Sequence, residues 1–406
     1  NNIYIIGAYS TNYNNSIAGT SLHYTSNVGY ETFFIAKYDS SGNMQYVISE
    51  PVPSASSDNY YYRSSMVDDY GNIFVGGRFI GGSSSYHTFI RKYSAIDLSF
   101  VDEQLSLGSG NWTNQINDIV SDGSGGAYFV GSYKYAITLG TVTLPSDANN
   151  YDQGFVAHWD NSGIIAWANS IGDLTLSNCD DYASSITVDQ NNNIFVAGRF
   201  TLVPTGTYEY KTFIKKYNTS GLLITTVESD SMSYNIPLAN GVKVNVDNNG
   251  NVYLFTSHNV TTEDPNYVFN SFSLTPIISN SKILYKMDNN LSVLDAINFA
   301  TNTVTTNQII VLSNNDVILR SIDQNPYIIN NIIYEQDVIQ YGNLTHLDSN
   351  NDFVKFHTLG STIGSTYSSS ITANTNTIYT LYYRVGPVTN NGTTHPSGYY
   401  VVKEQY

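Results

Sequence analysis

Seven basic or imidazole residues, Lys37, Lys92, His158, Lys216, Lys286, His346 and Lys403, recur at one register of a repeated apolar run, as in "FFIAKYD" (33–39), "TFIRKYS" (88–94) and "TFIKKYN" (212–218). The chain holds only 17 Lys and Arg beside 33 Asp and Glu, so seven aligned cations form a pattern. Two chemistries fit it. A ring of donors can bind an anion. Alternatively, each cation meets a carboxylate of a neighbouring repeat, such as Asp68, Asp189 or Asp247, or a backbone carbonyl.

Oxygen-rich stretches are the next candidates. "DSSGN" (39–43), "DQNNN" (189–193) and "DNNGN" (247–251) place oxygen atoms at alternate positions, as calcium loops do, with Asp39, Asp189 and Asp247 as first ligands. None has the twelve-residue length or closing Glu of an EF-hand, and tight hairpins demand the same Asp, Asn and Gly. Glycosidic cleavage needs two carboxyls facing one cleft. The adjacent pairs Asp68/Asp69, Asp102/Glu103 and Asp180/Asp181 fall at strand ends or loops, where solvated turn residues are expected.

Other catalytic signatures are missing. The seven histidines show no zinc spacing. There is no G-x-S-x-G elbow, and "GSGNW" (108–112) and "DGSGG" (122–126) read as turns rather than phosphate loops. The expectation is a non-enzymatic protein with no cofactor, calcium being the one ion with any support. Sequons at Asn14, Asn111, Asn218, Asn259, Asn290, Asn343 and Asn391 are glycosylation candidates.

Composition narrows the partners. A net charge of −16 argues against nucleic acid, which needs a basic footprint, and against anionic lipid. The single cysteine, Cys179, excludes an intrachain disulfide framework and reads as a small buried hydrophobe. No run of 18 apolar residues spans a membrane. Asn1 opens the chain in place of Met, which suggests a mature or truncated product. Charged residues make up 12% of the chain, and Tyr, Asn, Ser and Thr fill the space that Lys usually takes, which suits an exterior habitat.

The elements that carry these residues follow from a repeat. "NIFVGGRF" (72–79) returns as "NIFVAGRF" (193–200), and weaker copies bring the total to seven, beginning near Ile3, Ile73, Ala127, Ile194, Val252, Val317 and Ile378. Each copy is preceded by an alternating run such as "SSITVD" (184–189) and followed by the cation-bearing run and a less regular fourth. All four alternate with period two, are rich in Val, Ile, Phe and Tyr, and are bounded by Gly, Asn and Asp, which is the signature of antiparallel strands. Such a sheet cannot bury both faces alone, and stacking copies face to face solves this. The expected fold is all-β: a single domain over 1–406, a seven-bladed β-propeller of four-stranded antiparallel blades. Glycines after the second strand (Gly7, Gly77, Gly131, Gly198) are expected to let neighbouring blades approach.

The pattern D-x-x-G-N-x-Y/F-V-x-G followed by F-I/V-A-K-Y/W-D-x-x-G resembles the β-propeller repeat family called SBBP. The second to fourth copies fit it best and the last three drift. The resemblance implies fold and a secreted or surface habitat, and carries no catalytic residue.

The terminal copies are incomplete. The first begins at its second strand and the last ends after its third, giving 26 strands rather than 28. Either residues before Asn1 are missing or the terminal blades have three strands, or a partner chain supplies the missing strands by β-augmentation. The functional expectation is an extracellular, cell-surface or virion module, structural or adhesive. It would be a glycoprotein subunit of a filament or layer that contacts copies of itself, other surface proteins or glycans. The alternative is a carbohydrate-binding or carbohydrate-active propeller with its site at one mouth.

Overall fold

The computed structural model describes residues 2–11, 16–17, 19–22, 31–50, 59–81, 85–108, 113–172, 180–202, 209–230, 232–233, 241–258, 267–274, 281–300, 308–321, 327–329, 332–334, 343–358, 366–374, 377–384, 388–390, 393–395 and 398–405, and no side chain beyond residue 354. Regular structure among them is β throughout, with no helix. The all-β, repeated-sheet architecture of a β-propeller is present.

Of the 38 strands among the described residues, twenty-six form seven principal antiparallel sheets, and the other twelve are two or three residues long. Sheet one holds β1 (Ile3–Ser10), β2 (Glu31–Tyr38) and β3 (Met44–Ser49). Sheet two holds β4 (Asn59–Val67), β5 (Asn72–Gly81), β6 (Ser85–Ser94) and β7 (Phe100–Leu105). Sheet three holds β8 (Gln115–Ser121), β9 (Ala127–Tyr133), β10 (Gln153–Trp159) and β11 (Ile165–Ile171). Sheet four holds β12 (Asp181–Val188), β13 (Ile194–Leu202), β14 (Glu209–Tyr217) and β15 (Leu223–Glu228). Sheet five holds β16 (Lys243–Val246), β17 (Val252–His258), β18 (Ser281–Met287) and β19 (Val293–Ala300), extended by two short strands. Sheet six holds β20 (Gln308–Val311), β21 (Val317–Ser321), β22 (Asn343–Leu347) and β23 (Phe353–Thr358). Sheet seven holds β24 (Thr366–Asn374), β25 (Thr377–Arg384) and β26 (Gly398–Gln405).

The hairpins explain the recurrent D-x-x-G-N. Asp68 accepts the amides of Tyr70 (2.9 Å) and Asn72 (2.7 Å) on Oδ1, and its own N–H donates to the Asn72 carbonyl. Gly71 takes the left-handed conformation that closes such a loop (φ +84°). The Asp side chain thus satisfies amides that the turn leaves outside the ladder.

Packing alternates with the pleat. In sheet two, Ile73, Val75, Phe89 and Tyr93 join one core with Phe33 and Ile35 of sheet one. Their neighbours Phe74 and Ile90 join another with Ile116, Phe129 and Trp159 of sheet three. Phe74 meets Trp159 edge to face at 5.6 Å. The chain divides into two compact units, residues 1–186 with 200–202 and 217–222, and residues 187–199, 203–216 and 223–406. The second has its own cores, around Phe195, Leu254, Tyr285 and Met287, and around Tyr253, Phe255, Leu284 and Leu319.

The glycine expectation needs correction. A Cβ on Gly77 would lie 2.0 Å from the Tyr61 carbonyl, and one on Gly131 would lie 2.1 Å from the Gln115 carbonyl. Both contacts are within the glycine's own sheet, where β4 and β8 bulge at Tyr62/Ser64 and Ile116/Asp118. These glycines admit the bulge of a first strand. The approach between sheets belongs to Gly76, whose Cβ would meet Ile119 at 2.8 Å.

Candidate functional site

The seven aligned cations share β2 of sheet one and the third strand of each later sheet; Lys37 faces Tyr4, Lys92 faces Phe74, and Lys286 faces Tyr253, aromatic residues near the start of the preceding strand. Their stems lie on those rings, with Nζ 5.9, 5.4 and 5.7 Å from the centroids. The ammonium heads cross to the next sheet. Lys37 donates to the Ile96 carbonyl (2.6 Å), Lys92 to that of Gly125 (2.9 Å), Lys216 to that of Asn289 (2.9 Å) and Lys286 to that of Ser349 (2.7 Å). Each acceptor lies in a hairpin turn, where carbonyls point out of the ladder. Of the two chemistries the sequence left open, backbone-carbonyl contact holds for these four lysines. An anion would have to displace those carbonyls. Only the backbone of Lys403 is described.

The two histidines behave differently. His158 Nε2 meets Asp122 Oδ2 at 2.9 Å and His346 Nε2 meets Asp316 Oδ2 at 2.8 Å, each within its own sheet. In sheet three the cross-strand neighbour of His158 is Trp167, and its indole Nε1 donates to the Thr219 carbonyl at 3.0 Å. Asn169 adds a bond to the Gly221 carbonyl at 2.8 Å. The inter-sheet contact is therefore kept with a different donor. Burial would raise the Asp122 carboxyl, but His158, Ser124 and the Gly126 amide outweigh it and hold it at about 2.

The calcium candidates are spent on turns. Asp39 accepts the amides of Ser41 and Asn43 on Oδ1, and the side chains of Asn43 and Gln45 on Oδ2. Asp189 accepts Asn191, Asn193 and the Nδ2 groups of Asn193 and Asn289. Asp247 accepts Asn249, Asn251 and the Tyr253 hydroxyl. Donors on both oxygens of each carboxylate repel a cation, so the turn takes up the acceptors that the sequence offered to calcium. Among the described residues no group of three or more His, Cys, Asp or Glu is placed to hold a metal.

Of the sequons, Asn218 fills the Asp role in its hairpin, accepting Ser220 and Leu222 amides, Asn290 is exposed in a turn, and Asn343 opens β22. Asn14, Asn111, Asn259, Asn391 and Cys179 lie outside the described residues.

Of the acidic pairs, Asp69 is the exposed turn residue that the sequence suggested, whereas other members are bound or buried. Glu103 binds Arg91 Nε at 2.6 Å, and Asp68 caps its hairpin. Asp181 is buried inside β12, beside Asp152, which the sequence did not single out. Asp152 accepts Thr113 Oγ1 (2.9 Å) and the Tyr182 hydroxyl (2.8 Å), while its amide donates to Asp180. Burial pushes the Asp152 carboxyl up, and the two hydroxyls only partly offset it. The cluster ties the segments before β8 and β10 to β12. No sequence signal marked it, because the three strands meet only in the fold.

The first sheet stands apart. The second strands of sheets two to six are buried at their apolar centres: Ile73–Val75, Ala127–Val130, Ile194–Ala197, Val252–Phe255 and Val317–Leu319. Their counterpart in β1, Ile3–Ile6, is only half-buried. Among the described residues β1 is an edge strand, paired with β2 on one side alone.

The family model described as "SBBP: Beta-propeller repeat" matches residues 174–199. No curated protein matches the sequence. Among solved structures, the chain is similar to the quinohemoprotein alcohol dehydrogenase of Comamonas testosteroni, at 10% identity and a TM-score of 0.45, over 91% of this chain and 63% of that one. It is also similar to a europium-containing methanol dehydrogenase (11%, TM-score 0.38, 87% and 71%). A third is the WD40 domain of SCAP from fission yeast (8%, TM-score 0.22, 71% and 79%). The chain thus spans less than two thirds of the alcohol dehydrogenase. The expected structural or adhesive surface module is corrected here: the similar structures include dehydrogenases, and nothing supports adhesion. At these identities the likeness concerns the fold and assigns this chain no reaction.

Proposed function

With SBBP-type β-propeller repeats as its building units, we propose that the chain accepts an extended strand from a partner along β1. One observation carries this: Ile3–Ile6 are half-buried where the equivalent residues of five other sheets are buried. In those sheets a first strand lies beside the second, and in sheet one no strand of the described residues lies there. The sequence of β1, IYIIGAYS, has neither charge nor proline, the usual means of blunting an edge.

The repeat specifies the chemistry of the partner. Asn2 stands where Asn72, Asn193 and Asn251 stand, and each of these gives its N–H and Nδ2 to an Asp four residues earlier. The partner is therefore an antiparallel strand, apolar at alternate positions, that ends in an Asp beside Asn2. Main-chain bonds supply affinity and the alternate side chains supply register.

A synthetic peptide with the sequence of residues 182–193, YASSITVDQNNN, tests this. Calorimetry should show one saturable site per chain, a rise in Tm, and weaker binding when the peptide's Asp is replaced by Asn. Absence of binding, or self-association of the chain through β1 in place of it, would contradict the proposal. The exterior habitat stays part of this reading, supported by the scarcity of lysine. Intact mass before and after deglycosylation of protein from its native source tests it.

A further inference from the structure

Lys216 differs from the other inter-sheet lysines in what its ammonium group meets. Besides the Asn289 main-chain carbonyl, Nζ donates to Oδ1 of the Asn289 side chain. The Nδ2 of that same amide donates to Asp189 Oδ2 at 2.6 Å. A donor on one side and a carboxylate on the other fix which end of the amide is oxygen and which is nitrogen. Lysine, carboxamide and carboxylate thus converge from β14, the hairpin between β18 and β19, and the turn after β12, all within the second compact unit.

The surroundings favour a reaction between them. Lys216 and Asp189 are buried, and Nζ lies 5.5 Å from the centroid of the Phe195 ring. Asn289 is only half-buried, which leaves a way out for a small leaving group. Burial keeps water, the competing nucleophile, from the amide, and the fold holds amine and amide together at high effective concentration. Burial would raise the Asp189 carboxyl, but bonds from Asn193 and Asn289 outweigh it and keep it a carboxylate, able to take and return a proton. Other sheets lack a member of the set. Lys92 reaches Asn161 Oδ1 only at 3.5 Å, and among the described residues no carboxylate accepts from that amide. Lys286 meets Ser349, which has no side-chain amide.

We propose that Lys216 and Asn289 join in an isopeptide bond, with Asp189 as the catalytic acid–base. Nζ, once deprotonated, attacks Cγ of Asn289; the Nζ–Cγ bond forms and the Cγ–Nδ2 bond breaks. The lysine ammonium gives up two protons, the departing nitrogen gains two and leaves as ammonium, and nothing is oxidised or reduced. Asp189, hydrogen-bonded to Nδ2, is the group that hands the leaving nitrogen its proton. The bond ties sheet four to sheet five across 73 positions of sequence and restricts the unfolded chain.

Intact mass, with tandem mass spectrometry of a tryptic digest, tests this on the full chain made in a host that adds no glycans. Wild type should be lighter than its sequence by one ammonia, and one branched peptide should join Lys216 to Asn289. Asn289→Ser and Lys216→Met should restore the full mass; Ser349 holds the equivalent place in sheet six, and methionine keeps the stem on Phe195. Asp189→Asn should also be unlinked with an unchanged circular dichroism spectrum, since Asn218 fills the same turn role. Full sequence mass in folded wild type, or an ammonia loss that persists in Asn289→Ser, would overturn the proposal. Cross-linking in Asp189→Asn would overturn the role of Asp189. The wild-type mass decides whether or not a variant folds.

Discussion

Sheets one and three are written in the same repeat but finished differently. In sheet three every residue of β9 is buried, and Trp159 and Phe129 are wholly enclosed. In sheet one the equivalent strand is half-exposed, and Tyr38, the counterpart of Trp159, is half-buried. The apolar alternation is much the same in both. What differs is cover: sheet three has its own first strand and packs its core against sheet two, whereas no strand of the described residues closes the free edge of β1. Burial in a repeat fold is thus a property of neighbours as much as of the segment.

The largest expected contrast is in the third strands. Trp159→Ala should cost about 3–5 kcal/mol, as large aromatic truncations in packed cores do. Tyr38→Ala should cost clearly less. Denaturant unfolding of both variants checks this, and equal losses would remove the distinction between the two sheets.

The clasp is next. Lys92→Met keeps the stem on Phe74 but leaves the Gly125 carbonyl without its charged donor, a loss of about 1.5 kcal/mol. Trp167→Phe should give a loss of similar kind in sheet three, because there the indole N–H does the lysine's work. If Trp167→Phe were neutral in urea melts while Lys92→Met was not, the two donors would not be equivalent.

Acid separates the sheets further. The Asp122 carboxyl is held at about 2, below its ordinary value near 3.8, so it binds its proton more weakly folded than unfolded. Its stabilisation is therefore complete above the unfolded value and is lost as pH falls from about 4 through about 2. Asp152, raised by burial, has the opposite sign: the fold favours its protonated form, so its cost grows as pH rises through the raised value. Asp122→Asn should flatten the acid limb of the stability profile, and an unchanged limb would show that His158 and the turn amides contribute nothing there.

The smallest effects lie in the third-to-fourth hairpins. Gly42 and Gly163 share a left-handed φ of +84° and +86°, so alanine costs about 1 kcal/mol at either. A Cβ at 163 would also meet Asp102 Oδ2 at 2.9 Å, whereas 42 faces open space. Gly163→Ala should therefore lower Tm more than Gly42→Ala.

Much of this was legible in the sequence, because strands and hairpins are local. The repeat placed the strands, D-x-x-G-N placed the turns, and counting runs gave three strands in each terminal sheet and four in the rest. The register of the seven cations was also visible. Their targets were not, since the Ile96 and Ser349 carbonyls come from the next repeat and a carbonyl leaves no mark in a sequence. The same holds for Gly77, where a bulge in the facing strand decides the contact, and for Asp181, which reads as a strand-end or loop acid until three segments converge on Asp152 beside it.

The account rests on β1 being an edge that takes a strand. Hydrogen exchange of the β1 and β9 amides, with and without the YASSITVDQNNN peptide, tests it most directly. The β1 amides pointing away from β2 should exchange quickly in the free chain and slow markedly with peptide, while β9 stays protected in both. Protection of β1 equal to β9 without peptide, or no slowing on its addition, would contradict it.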